Sequence, residues 1–167
     1  MGAGKIAWEL KHMPRVLIID DHPLVARATA NEVRMVKRDA ETRLAHSIEE
    51  AERVIAEWEE TDTILLDLRL PDTEGLSGLV HLHKVVPKAT IAIISAEDDP
   101  NVMRDAFAQG ARGYLTKGRD IDQFTDGLRK VLDYGFYFPP EVTTPAPSLP
   151  SQHLTDREEE VVRALAL

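Results

Sequence analysis

The chain has 167 residues, 43% of them hydrophobic, enough for one core-forming domain of about 120 residues with a tail. Absence of cysteine excludes a disulfide framework and thiol catalysis, and no run of about 18 apolar residues or secretory pattern is present, which implies a soluble, cytoplasmic protein without membrane contact. A net charge of -9 argues against these residues alone being a strong nucleic-acid binder, because phosphate neutralisation dominates such affinity.

Residues 1–13 precede the first strand-like segment. Gly2-Ala3-Gly4-Lys5 resembles the end of a phosphate-binding loop, but no strand precedes it and the first glycine is missing. His12-Met13 is the dipeptide left by a common cloning junction, so this stretch reads as an expression remnant or an N-terminal extension.

Arg15-Val16-Leu17-Ile18-Ile19-Asp20-Asp21-His22-Pro23 is an apolar run that ends in acid, with Pro23 suited to the first turn of a helix from His22 to about Lys37. A weaker strand around Thr42 to His46 follows. Ser47 to Glu59 has a capping box in Ser47 and Glu50, and places Ile48, Ala51, Val54, Ile55 and Trp58 on one face.

Thr63-Ile64-Leu65-Leu66-Asp67 repeats the first design, a buried strand that delivers a carboxylate to a loop containing Pro71, Asp72 and Gly75. Alone, Asp67 also suits helix capping or the turn. If the two strands are neighbours, however, Asp20, Asp21 and Asp67 converge, and close like charges repel unless neutralised. A hard divalent cation does this, and Mg²⁺ is the candidate that keeps waters and pairs with phosphate.

Further along, a helix near Leu76 to Val86 carries His81 and His83, whose spacing of two points them to different faces and argues against a zinc site. The strand Ala89 to Ser95 ends in a hydroxyl. After a helix over Asn101 to Gln109, the short strand Gly113-Tyr114-Leu115-Thr116-Lys117 ends in a cation. A helix over Asp120 to Asp133 completes five alternations of strand and helix, which predict a parallel sheet covered on both faces. Carboxylate nucleophile, Mg²⁺, hydroxyl and lysine at one sheet edge are the parts that stabilise a transferring phosphoryl group.

These elements, in this order, resemble the receiver domain of bacterial two-component response regulators, over about Pro14 to Tyr134. The resemblance implies a flavodoxin-like (βα)5 fold of strand order 2-1-3-4-5, with strands one and three adjacent at the switch point. It implies that Asp67 is the phosphoacceptor, loaded by a sensor histidine kinase or phosphotransfer protein. Asp21, Asp67 and the backbone carbonyl of Arg69 would hold Mg²⁺, with Asp20 acting largely through water. Lys117 and Ser95 would assist the transfer, and Ser95 and Tyr114 would form a switch that remodels helix four, strand five and helix five. Arg69 and Glu97 stand two residues beyond the acceptor and the switch hydroxyl, where a long charged pair would shield the phosphoryl group or simply be solvated. The implied activity is self-phosphorylation and self-dephosphorylation rather than turnover of a substrate. A haloacid-dehalogenase-type phosphatase would need a second Asp where Arg69 stands.

The tail narrows the resemblance to the NarL/FixJ group. The receiver is expected over 14–135, followed by a stiff linker over 136–153, with five of the ten prolines between positions 139 and 150. Leu154-Thr155-Asp156-Arg157-Glu158-Glu159-Glu160-Val161 begins with a capping box and is similar to the opening helix of a LuxR-type helix-turn-helix domain, here truncated at 154–167. Transcription control through that domain is the leading expectation, with DNA as a partner of the full-length protein only and with a homodimer possible. A stand-alone receiver acting through protein contacts is the alternative.

Overall fold

The computed structural model describes residues 12–144; the Gly2–Lys5 motif and the helix-turn-helix-like string lie outside the described residues. Five strands, β1 (Arg15–Ile19), β2 (Glu41–Ala45), β3 (Thr63–Asp67), β4 (Thr90–Ser95) and β5 (Gly113–Thr116), form one parallel sheet of order β2-β1-β3-β4-β5. They alternate with α1 (Pro23–Val36), α2 (Ile48–Glu57), α3 (Ser77–Val85), α4 (Pro100–Ala108) and α5 (Ile121–Tyr134). The expected architecture is therefore present, with element ends within a residue or two of those read from the sequence.

Strand alternation divides the interior in two. Leu17, Ile19, Ile64, Leu66, Ile91 and Ile93 point to the face covered by α2, α3 and α4, where they meet Ala51, Leu79, Leu82 and Met103. Val16, Ile18, Leu65, Ala92, Ile94 and Leu115 point to the opposite face, against Ala26, Val33, Leu128 and Val131 of α1 and α5. A strand buried on both faces has no polar position to spare, which is why β1, β3 and β4 read as unbroken apolar runs.

That parity positions the functional side chains. Ile19 pairs with Leu66 in register, so the next residues, Asp20 and Asp67, emerge side by side at the carboxyl edge. By the period of two, Asp20, Asp67 and Lys117 continue the α1/α5 face, whereas Ser95 and Tyr114 belong to the α4 face.

The caps refine the sequence expectation. Ser47 Oγ accepts from the Glu50 N–H at 3.1 Å, but the Glu50 carboxylate returns to the His46 N–H at 2.8 Å, one residue earlier than a capping box requires. The remaining first-turn donors, the N–H groups of Ile48 and Glu49, are met by the Asp72 carboxylate at 3.2 Å each. The loop after Asp67 is thereby tied to the start of α2. His81 and His83 do diverge, His81 bonding Glu52 at 2.6 Å while His83 lies against Gly110.

Past α5, Gly135 takes a left-handed φ of 71° that few other residues adopt and ends the helix with its N–H on the Val131 carbonyl. The segment expected to begin a linker is packed instead. Tyr137 pairs with β5, Phe138 is buried, and Pro140–Thr143 forms a short sixth helix, α6, with Pro140 in its first turn.

Replacing Asp72 with Ala removes two helix-capping acceptors, so Asp72→Ala is expected to lower stability by about 1 kcal/mol in chemical denaturation. An unchanged midpoint would show that water replaces the carboxylate at no cost.

Candidate functional site

The carboxyl ends of β1, β3 and β5 bring together the acids and the lysine named from the sequence. Asp20 and Asp67 are each about 4% exposed, and the Lys117 ammonium donates to both, at 2.9 Å to Asp20 Oδ2 and 3.1 Å to Asp67 Oδ2. The other Asp20 oxygen accepts from the His22 backbone N–H at 2.9 Å, and the other Asp67 oxygen from the Arg69 N–H at 3.2 Å. The Arg69 side chain itself is exposed.

Electrostatics separates the two buried acids. Burial raises the pKa of Asp67, the N–H of Arg69 and Lys117 oppose this, and Asp20 adds to it, leaving the carboxyl above its ordinary value. Burial acts the same way on Asp20, but the His22 N–H, the Lys117 ammonium and the His22 ring outweigh it and hold that carboxyl below its ordinary value. For Lys117, burial favours the neutral amine, yet the two acids prevail and raise its pKa. Lys117 thus bridges the two acids, at 2.9 Å and 3.1 Å.

The donor set fits a hard cation. One carboxylate oxygen each from Asp20, Asp21 and Asp67, with a ring nitrogen of His22, lie within 4.8 Å of one another. Lys117 cancels one of three negative charges. Asp21 Oδ1 is buried with no hydrogen bond; His22 Nδ1 approaches to 3.0 Å without hydrogen-bond alignment. An unpartnered buried carboxylate oxygen beside two further acids is an arrangement that a divalent ion relieves.

Ser95 and Tyr114 sit on the other face of the same edge. Ser95 is 1% exposed, and its Oγ accepts from the Glu97 N–H at 3.1 Å. The fully buried Tyr114 donates its hydroxyl to the Glu97 carbonyl at 2.7 Å, so Glu97 joins serine and tyrosine through its backbone. Burial raises the Tyr114 pKa despite the nearby Ser95 hydroxyl, and the neighbouring acids Glu97, Asp98 and Asp99 reinforce it. The Tyr114 ring points into the core that it shares with Met103 and Ala106. The Glu97 side chain accepts from the Asp99 N–H at 3.2 Å.

Three contributions go beyond the roles read from the sequence. His22, which the sequence assigns to the start of a helix, bonds Asp20 and approaches Asp21. His46 Nδ1 donates to the Asp20 carbonyl at 2.9 Å, fixing the backbone under the site. The Glu97 contribution is a main-chain carbonyl, which carries no residue-type signal.

Comparison with known proteins identifies the family. The family model described as "Response regulator receiver domain" matches residues 16–129. A glycerol metabolism activator of Pseudomonas putida is 34% identical over 130 residues, covering 78% of this chain and 59% of its own length. The transcriptional regulatory protein DegU of Brevibacillus brevis is 28% identical over 131 residues, covering 77% and 54% respectively. The chain thus spans a little over half the length of these curated relatives. Among solved structures, a LuxR family DNA-binding response regulator from Silicibacter pomeroyi aligns with a TM-score of 0.66 and 26% identity, covering 77% of this chain and 98% of that one. A Burkholderia pseudomallei response regulator with a phosphorylated aspartic acid and a calcium ion aligns at 0.59 and 27% identity, covering 71% and 68%. The chain belongs to the response-regulator receiver family.

Proposed function

We propose that this receiver accepts a phosphoryl group on Asp67 from the phosphohistidine of a sensor kinase or phosphotransfer protein, and that the modification controls transcription through a LuxR-type output domain of the full-length protein. The observation that carries this reading is the buried Asp67 carboxylate at the carboxyl edge of β3, 3.1 Å from the Lys117 ammonium and beside Asp20.

In the proposed transfer a carboxylate oxygen of Asp67 forms a bond to phosphorus while the bond from phosphorus to the imidazole nitrogen breaks, its electron pair staying on the imidazole. Lys117 lies where it faces the charge of the transferring oxygens. Asp20, Asp21, Asp67 and the Arg69 backbone carbonyl are the groups assigned to hold Mg²⁺, which when bound would offset the charge that Lys117 leaves uncancelled. On the product acyl phosphate, Ser95 has a hydroxyl hydrogen to donate, since in the present structure its Oγ acts as acceptor towards Glu97. Movement of Ser95 would be felt by Tyr114 through the Glu97 backbone they share. The chemistry is self-modification followed by hydrolysis, with no external substrate turned over.

Receiver relatives that are transcriptional regulators support the DNA-linked role, which belongs to the full-length protein, as does any homodimer. No helix among the described residues is long and apolar enough to cross a membrane, in keeping with a proposed cytoplasmic site of action.

Asp67→Asn is expected to abolish labelling by acetyl phosphate, and undiminished incorporation in that variant would overturn the choice of acceptor. Lys117→Ala leaves two buried carboxylates unpaired and is expected to cost about 3 kcal/mol of stability in metal-free buffer. Millimolar Mg²⁺ should raise the Tm of that variant more than it raises the wild type's; equal shifts would place the cation elsewhere. If Arg69 shields the phosphoryl group from water, Arg69→Ala speeds dephosphorylation severalfold, and an unchanged decay rate in a phosphoryl-release assay removes that role.

A further inference from the structure

The chain that leaves α5 does not depart from the domain. It returns along the free edge of β5, where the Tyr137 N–H donates to the Arg112 carbonyl at 3.0 Å and the Tyr137 carbonyl accepts from the Tyr114 N–H at 2.8 Å. The slot for this return is built from small residues. A Cβ at Gly127 of α5 would stand 2.6 Å from the Tyr137 ring, and one at Gly113 would stand 3.3 Å from the Tyr137 carbonyl. Lys130 lies 5.7 Å from the centroid of that ring. The adjoining Phe138, 5% exposed, packs edge-on against Phe107 of α4 at 5.5 Å.

A second grip follows in α6. The Glu141 carboxylate pairs with Arg119 at 2.9 Å, and its backbone carbonyl accepts from Arg104 of α4 at 3.3 Å. The two grips fall on either side of Lys117. Tyr114 lies three residues before it and Arg119 two after, while the Lys117 N–H is itself held by the Ser95 carbonyl at 2.8 Å. The strap from Phe136 to Thr143 therefore clamps the short stretch of chain that aims the ammonium at Asp20 and Asp67.

We infer that Tyr137 and Glu141 are positioning residues for phosphoryl acceptance: the docked strap fixes the β5–α5 turn that carries Lys117, and loosening the strap slows loading of Asp67. This rests on Asp67 being the acceptor. Its consequence is that anything pulling on the chain beyond Thr144 reaches the phosphorylation site.

The test uses the whole 167-residue chain. Initial rates of labelling are measured against acetyl phosphate concentration at saturating Mg²⁺, with amide exchange followed at Tyr114 and Lys117. Glu141→Gln is expected to lower the maximal labelling rate about threefold, a modest effect because the pair with Arg119 is partly exposed. The half-saturating acetyl phosphate concentration should stay the same. Exchanging the charges, Arg119→Glu with Glu141→Arg, should restore most of the rate, which a loss through general destabilisation would not do. Tyr137→Ala should speed exchange at both amides and slow labelling about tenfold.

Wild-type labelling rates in Glu141→Gln, or no recovery in the exchanged pair, would overturn the inference, as would fast Tyr114 exchange in Tyr137→Ala with labelling unchanged. Should Tyr137→Ala fail to fold, the Glu141 and exchanged-pair measurements decide the matter. A wild-type chain that takes up no label would overturn the assignment of Asp67, and the positioning role with it.

Discussion

One lysine between two buried acids is the interaction on which the rest depends. Lys117 donates to Asp20 and Asp67 together, yet Asp21 adds a third negative charge and keeps one oxygen without a hydrogen bond. Like charges packed this closely would spread apart if the backbone allowed it. The sheet does not allow it, because Asp20 and Asp67 are the next residues of two strands locked in register, and Lys117 follows a third. The hydrophobic interior thus holds an electrostatically unfavourable cluster in place. Such a cluster suits a divalent cation, and the proposed transfer to Asp67 would change its balance of charge.

The period of two along the strands organises this edge into two halves with different work. Side chains continuing the α1/α5 face carry the charges, whereas Ser95 and Tyr114 continue the α4 face and carry hydroxyls. The two halves meet at the rim, where Ser95 stands next to the β3 end and its carbonyl accepts from the Lys117 N–H. Glu97 adds its main chain, offering its N–H to Ser95 and its carbonyl to Tyr114. Glu97, a residue outside any strand, therefore ties together the two hydroxyls of the α4 half.

Much of this was legible in the sequence because it rests on side-chain type and strand period. Apolar runs ending in acid, hydroxyl or lysine identify the sheet edge without any structure. What escaped notice has physical reasons. His46 and Glu97 act through partners or atoms that no motif records, and Asp72 looks like a loop residue until its carboxylate is seen on the first turn of α2. The proline count over the tail suggested an extended linker from position 136. Prolines do stiffen a chain, but Tyr137 and Phe138 precede them, and packing these rings against the domain outweighs the preference of the following segment for solvent. Pro140 then begins a turn of helix instead of interrupting one.

The packed tail alters how the edge strand should be understood. An open β5 edge would leave the N–H of Tyr114 and the carbonyl of Arg112 to water or to another chain's strand. Here both are taken by Tyr137, so the residue that moves in the proposed switch is fixed on one side by β4 and on the other by the chain's own continuation. A side chain can rotate within such a frame while its backbone stays put. In the proposed switch, a change in Tyr114 would alter packing around Phe138, Met103 and Ala106, which share its core cluster, without a shift of the strand. The strap and α4 face one another across that cluster, and they are the two elements whose contacts a different Tyr114 rotamer would have to change.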